Sequence, residues 1–243
     1  MSRTIITRII NWRTVTAYLA MFLLLMITAP KSASTVGLLG GFSTVGGMGR
    51  LNILGIIRWN LCVLPPVAVS ILFMASELGP LSTYTVMRAT SIKTWYLVRL
   101  CAVILANLIY ISTFILLGTV FGLNARSEPF RLYQLVLVFP MHTILMSGIS
   151  VMLLTVCRSS KAPVFSYFAV EGCMVIGGSL FPGISKYLPP FWGMAQSEGL
   201  LLPNRGCHLL ITVGMTVLVF ILLTSISIKW LQSNNPAASP RNI

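Results

Sequence analysis

No aspartate occurs anywhere in the 243 residues, and only four glutamates, Glu77, Glu128, Glu171 and Glu198, oppose 17 lysines and arginines. These acids lie far apart in the chain, so no cluster of carboxylates is available for acid–base catalysis. The only histidines, His142 and His208, fall on different apolar tracts, and neither H-E-x-x-H nor G-x-S-x-G is present. The chain therefore reads as a non-enzyme. A P-loop is missing too: the Gly-rich stretch ends Gly46-Gly47-Met48-Gly49-Arg50 without the Lys-Ser/Thr that a nucleoside triphosphate requires. The five cysteines form no C-x-x-C pair and sit in or beside apolar tracts, as small buried hydrophobes do. No metal site, no bound cofactor and no internal repeat is expected.

Charge of either sign is scarce, at 9% of residues, whereas 56% are hydrophobic and the mean hydropathy is +0.89. That is more apolar surface than a water-soluble domain could cover, so the solvent must be lipid. In a soluble protein the net charge of +13 would suggest nucleic acid. Here the basic residues edge apolar tracts, where they attract anionic headgroups and orient helices, so membrane lipid is the expected partner.

A bilayer core of about 30 Å needs about 20 helical residues. Charge-free stretches of that order predict an all-α polytopic membrane protein with six spans, near 14–30, 59–76, 100–122, 132–157, 162–181 and 206–228. Residues 1–231 make one transmembrane domain and 232–243 a polar, disordered tail. Residues 1–13 place Ile5, Ile6, Ile9, Ile10 and Trp12 on one helical face, which fits an amphipathic helix lying in the interface. A basic start followed by an apolar run and Ser32-Ala33-Ser34 also fits a secretory signal peptide. Pro65-Pro66 and Pro140 should kink their spans rather than end them. With the amino terminus inside, ten of the 17 basic residues fall on inside segments, a bias toward both termini being cytoplasmic. Between spans five and six, residues 182–205 mix prolines, aromatics and a short apolar run, which suits a re-entrant element or an interfacial loop. Gly-rich residues 31–58 fit no pattern.

Glu171 is the one acid within a predicted span. An ionisable group at mid-bilayer costs about 2.5–3.5 kcal/mol by insertion scales. It should face a wet cavity, pair with a neighbour or be protonated, and it is the candidate for the translocation path. A structural hydrogen bond to an adjacent helix is the alternative.

The most specific segment lies between spans two and three. Pro80 suits a first helical turn, and Leu81, Tyr84, Met87 and Arg88 recur at three- to four-residue spacing, giving an amphipathic surface helix with Glu77 before its positive end. Lys93, Trp95 and Arg99 then lead into the membrane. An acid closing span two, Gly79 and Leu81 after it, and R-x-x-S-x-K-x-W from Arg88 to Trp95 resemble the permease subunits of type-2 ATP-binding-cassette exporters. Within that family the chain is most similar to small permeases of Gram-positive bacteria tied to peptide export or bacteriocin self-protection. The resemblance implies a bacterial plasma-membrane protein with a coupling helix formed by Glu77, Gly79, Leu81, Tyr84, Met87, Arg88, Lys93, Trp95 and Arg99. It also implies a second permease subunit, identical or not, and cytosolic ATPase subunits that carry the ATP and Mg. The same basic residues would in any case hold this loop inside. An ion-gradient-driven carrier or channel and a non-transporting scaffold are the competing classes.

Overall fold

In the computed structural model the described residues are 5, 9, 11–28, 53–78, 91–120, 129–157, 159, 161–181, 188 and 205–234. They form helices α1 (Trp12–Thr28), α2 (Ile53–Glu77), α3 (Ile92–Val120), α4 (Pro129–Cys157), α5 (Lys161–Tyr167), a π-helical segment (Phe168–Cys173), α6 (Met174–Leu180) and α7 (Arg205–Asn234). No strand occurs among the described residues. Four helical stretches are long and apolar enough to cross a membrane: Gly55–Glu77, Ile92–Leu117, Leu137–Cys157 and Val213–Asn234. These carry the predicted spans two, three, four and six. The first predicted span is the shorter α1, and the fifth is the continuous run α5, π-segment, α6.

Helix ends differ from the charge-free tracts. α2 begins before Arg58, α3 takes in Lys93 and Arg99, and α7 continues through Gln232 to Asn234, inside what the sequence assigns to a disordered tail. A charge ends an apolar tract but not a helix, because backbone hydrogen bonding continues wherever the side chain can reach water or a partner. Caps mark the true starts. Asn11 Oδ1 accepts the Thr14 N–H at 3.0 Å ahead of α1, and Ser91 Oγ accepts the Thr94 N–H at 3.1 Å ahead of α3.

Both proline sites lie inside continuous helices. Pro66 cannot donate to the Cys62 carbonyl, and the Tyr110 hydroxyl of α3 does so instead at 3.0 Å. The freed acceptor is thus satisfied by a neighbouring helix, as a proline in a lipid-embedded helix requires.

Ring pairs set the directions of the helices. Tyr18 meets Tyr110 and Phe22 meets Phe114 with centroids 4.6 and 5.2 Å apart, so α1 runs parallel to α3. Contacts between α2 and α3 pair rising with falling numbers, Cys62 with Tyr110 and Glu77 with Arg99, and are antiparallel.

Two apolar clusters fill the bundle. One gathers Phe22, Trp59, Val63, Tyr110, Phe139 and Tyr167. The other gathers Ile9, Met74, Trp95, Tyr96, Val151 and Leu231, so the amino-terminal segment and the end of α7 share the end of the bundle that holds the start of α3. Ile5 packs at the edge of that cluster and Ile9 is buried within it. At the junction of the two clusters Ser70, Asn107 and Ser147, all fully buried, join α2, α3 and α4 through hydrogen bonds of 3.2–3.4 Å. Large apolar side chains such as Leu116, Phe165, Leu218 and Ile221 face outward, an arrangement that lipid tolerates and water does not.

Close packing of α7 on α4 depends on Gly148. A Cβ there would stand 2.8 Å from Phe220 Cε2, too near for a methyl group. Gly148→Val should cost about 1–3 kcal/mol, and adding Phe220→Ala should return part of it. The apparent melting temperature of the purified chain in detergent measures both.

The surface helix at 79–90, the Gly-rich residues 31–52, the re-entrant element at 182–205 except Leu188 and Arg205, and the tail from 235 onward lie outside the described residues.

Candidate functional site

Of the residues predicted to couple the bundle to a partner, Glu77, Trp95 and Arg99 come together. Glu77 closes α2 and is 4% exposed. Its Oε2 accepts Arg99 Nε at 2.9 Å. The guanidinium also lies 4.4 Å from the centre of the Trp95 ring and donates to the Trp95 carbonyl at 3.3 Å. Arg99 is one turn beyond Trp95, so carboxylate, guanidinium and indole stack at the point where α3 begins, just after the Ser91 cap. A buried pair of this kind holds two helix ends in one geometry. Lys93 points to solvent and takes no part. Gly79, Leu81, Tyr84, Met87 and Arg88 lie outside the described residues.

Glu171 stands apart, on the far side of the polar junction. From Glu77 to Trp59, which touches it, α2 runs 18 residues, about 27 Å at the usual helical rise. The π-segment puts it there. Pro163, Tyr167, Glu171 and Val175 are all buried, while Val164, Phe165, Phe168 and Ile176 are exposed. A strict four-residue repeat drifts around an α-helix of about 3.6 residues per turn. The wider i→i+5 turn cancels that drift and keeps Glu171 aimed inward. Gly172 is not what makes the room, because a Cβ there would meet nothing within 4 Å.

Glu171 Oε1 accepts the Trp59 indole N–H at 2.7 Å and lies 2.8 Å from His142 Nε2. Trp59 also faces His142, ring centroids 5.5 Å apart, and meets Phe139 edge-on at 5.6 Å. The adjacent residue of α2, Asn60, accepts the Tyr167 hydroxyl on its Oδ1 at 3.2 Å. Three helical elements, α2, α4 and the π-segment, are thereby tied at one carboxylate oxygen. Glu171 Oε2 and His142 Nδ1 have no hydrogen-bond partner among the described residues.

The sequence singles out Glu171, and His142 as a histidine suited to a helix–helix hydrogen bond, but neither their pairing nor Trp59. The available signal was chemical: an acid within a span requires donors, and His142 and Trp59 are among the few such groups in the apolar tracts. Their meeting depends on helix order and rotation, which spacing does not encode. Among the described residues no three metal-ligating side chains converge. Comparison of the chain with protein-family models, curated proteins and solved structures returned no match.

Proposed function

We propose that this chain is the transmembrane permease subunit of an ATP-binding-cassette exporter, moving its substrate, a peptide in the preferred case, out of the cytoplasm with ATP hydrolysed by separate subunits. Six spans, with α1 and the α5–α6 run as the first and fifth, a re-entrant element between the last two and both termini cytoplasmic in a bacterial plasma membrane complete the proposal. Two permease subunits would share the translocation path, with Glu171 beside it.

The observation that carries it is the Glu77–Arg99–Trp95 contact. It joins the ends of the two helices that bracket residues 79–90, so a push on that segment would move α2 and α3 together rather than be absorbed by a slack loop. A partner-driven lever needs such a joint. Leu81→Asp, Tyr84→Asp or Met87→Asp should release the ATPase from the solubilised complex while the chain still inserts. Unchanged copurification together with unchanged substrate-stimulated ATPase activity would count against the proposal.

One observation favours the competing ion-driven carrier. Glu171 is not a lone ionisable group but is joined to His142 inside the bundle. Transport by the purified chain alone, in vesicles with an imposed ion gradient and no ATP, would decide for it.

A further inference from the structure

Glu171, Trp59 and His142 are 0%, 1% and 3% exposed, and they meet at a single carboxylate oxygen. The second oxygen of that carboxylate and the second nitrogen of that imidazole are sealed in with no partner among the described residues. A buried polar atom left unpaired costs about 1–3 kcal/mol, so a pair that strands two of them is poorly suited to be a structural bridge and nothing more. An amide in either position would bridge the helices without a titratable group. We propose that Glu171 and His142 together form a proton-binding site inside the bundle, holding one exchangeable proton when α2, α4 and the π-segment are closed around it.

The chemistry balances simply. A neutral imidazole donating from Nε2 to the carboxylate leaves the pair with one negative charge. One proton taken from water and placed on Glu171 Oε2 cancels that charge and breaks no covalent bond. Oε2 has no hydrogen-bond partner among the described residues, and the Trp59 N–H holds Oε1. With the side chains so closed, a proton is the one cation that enters without displacing them.

Among the described residues Tyr167 on α5 is within electrostatic reach of Glu171 and of Cys62 on α2, and Tyr110 on α3 is within reach of Cys62, Tyr167 and Tyr18 on α1. None of these tyrosines is ordinarily charged at neutral pH, nor is Cys62, and Arg58, the residue before Trp59 on α2, is half-buried and engaged in an interaction. Separation of α2 from the π-segment would let water solvate the carboxylate and release the proton. By linkage, acid then favours the closed junction and alkali the open one. The site does not depend on what drives transport, so its test is independent of any ATPase.

Infrared difference spectra of the chain in lipid vesicles, stepped between acidic and alkaline buffer, read the proton directly as the carbonyl stretch of a buried protonated carboxyl. The band should appear on acidification, vanish in Glu171→Gln and shift in Trp59→Phe, which deletes the N–H at Oε1. His142→Gln should move the pH at which it appears. A band that persists in Glu171→Gln, or no such band in the native chain at any pH, overturns the site. Should Glu171→Gln fail to accumulate, Trp59→Phe decides, because a band indifferent to loss of the indole N–H does not arise from Glu171.

Discussion

Glu171→Leu is expected to cost about 2–6 kcal/mol, because it orphans two buried groups, the Trp59 N–H and the His142 ring nitrogen, at about 1–3 kcal/mol each. The lost bonds alone would not do this, since interhelical hydrogen bonds in lipid average only about 0.6 kcal/mol. The penalty comes from donors left in a site closed to water. Glu171→Gln keeps an oxygen acceptor for the indole N–H and should lose much less. Thermal unfolding followed by size-exclusion chromatography in detergent separates the two variants. Equal loss in Leu and Gln would mean that the carboxylate charge, not hydrogen bonding, holds the three helices.

Arg99→Met is expected to have the second large effect, about 3–5 kcal/mol, the range for removing one partner of a buried ion pair. Glu77 would then be buried beside an apolar side chain, without the Arg99 guanidinium that it accepts from at 2.9 Å. Arg99 is only slightly exposed, so solvent does not screen the pair as it would at an open surface. The double variant Glu77→Gln with Arg99→Met should recover most of the loss, because replacing a buried pair by neutral groups of similar size is often nearly neutral. The recovered protein is informative in a second way. If the contact is a lever joint, the double variant should be stable yet show weaker coupling between substrate and ATPase activity than the native chain. If the contact only stabilises, coupling should return along with the melting temperature.

The two sites lie at opposite ends of the bundle and are separated by the Ser70–Asn107–Ser147 junction. At that junction α2, α3 and α4 exchange hydrogen bonds at the boundary of the two apolar clusters. A movement of α2 and α3 begun at Glu77 and Arg99 would have to pass through it to reach Trp59. Physical continuity of this kind makes coupling between the ends testable by double-mutant cycles.

Much of the helical plan was legible before any fold was known. Tracts free of charge located the four long apolar helices, and Pro65, Pro66 and Pro140 were correctly expected inside helices rather than at their ends. The boundaries were less legible. Arg58, Lys93 and Arg99 end apolar tracts, yet each belongs to a helix, since a cation can satisfy itself at an interface or, as Arg99 does, against a carboxylate and an indole. The π-segment was not legible at all. It shows only as a buried face recurring at four residues instead of drifting.

Composition alone determined that the chain belongs in lipid, because 56% hydrophobic residues with almost no acids cannot be covered by their own polar surface. It determined as well that Glu171 must have an accommodation of some kind, since the cost of an ionisable group in a span is set by the solvent and not by the fold. What that accommodation is, only the tertiary structure decided. Trp59 and His142 lie 112 and 29 residues from Glu171 along the chain, and hydropathy cannot tell which face of one apolar helix turns toward which face of another. Rotation and order of helices are fixed by side-chain fit, at Gly148 against Phe220 and at Tyr110 against the Cys62 carbonyl, and that fit exists only once the helices are side by side.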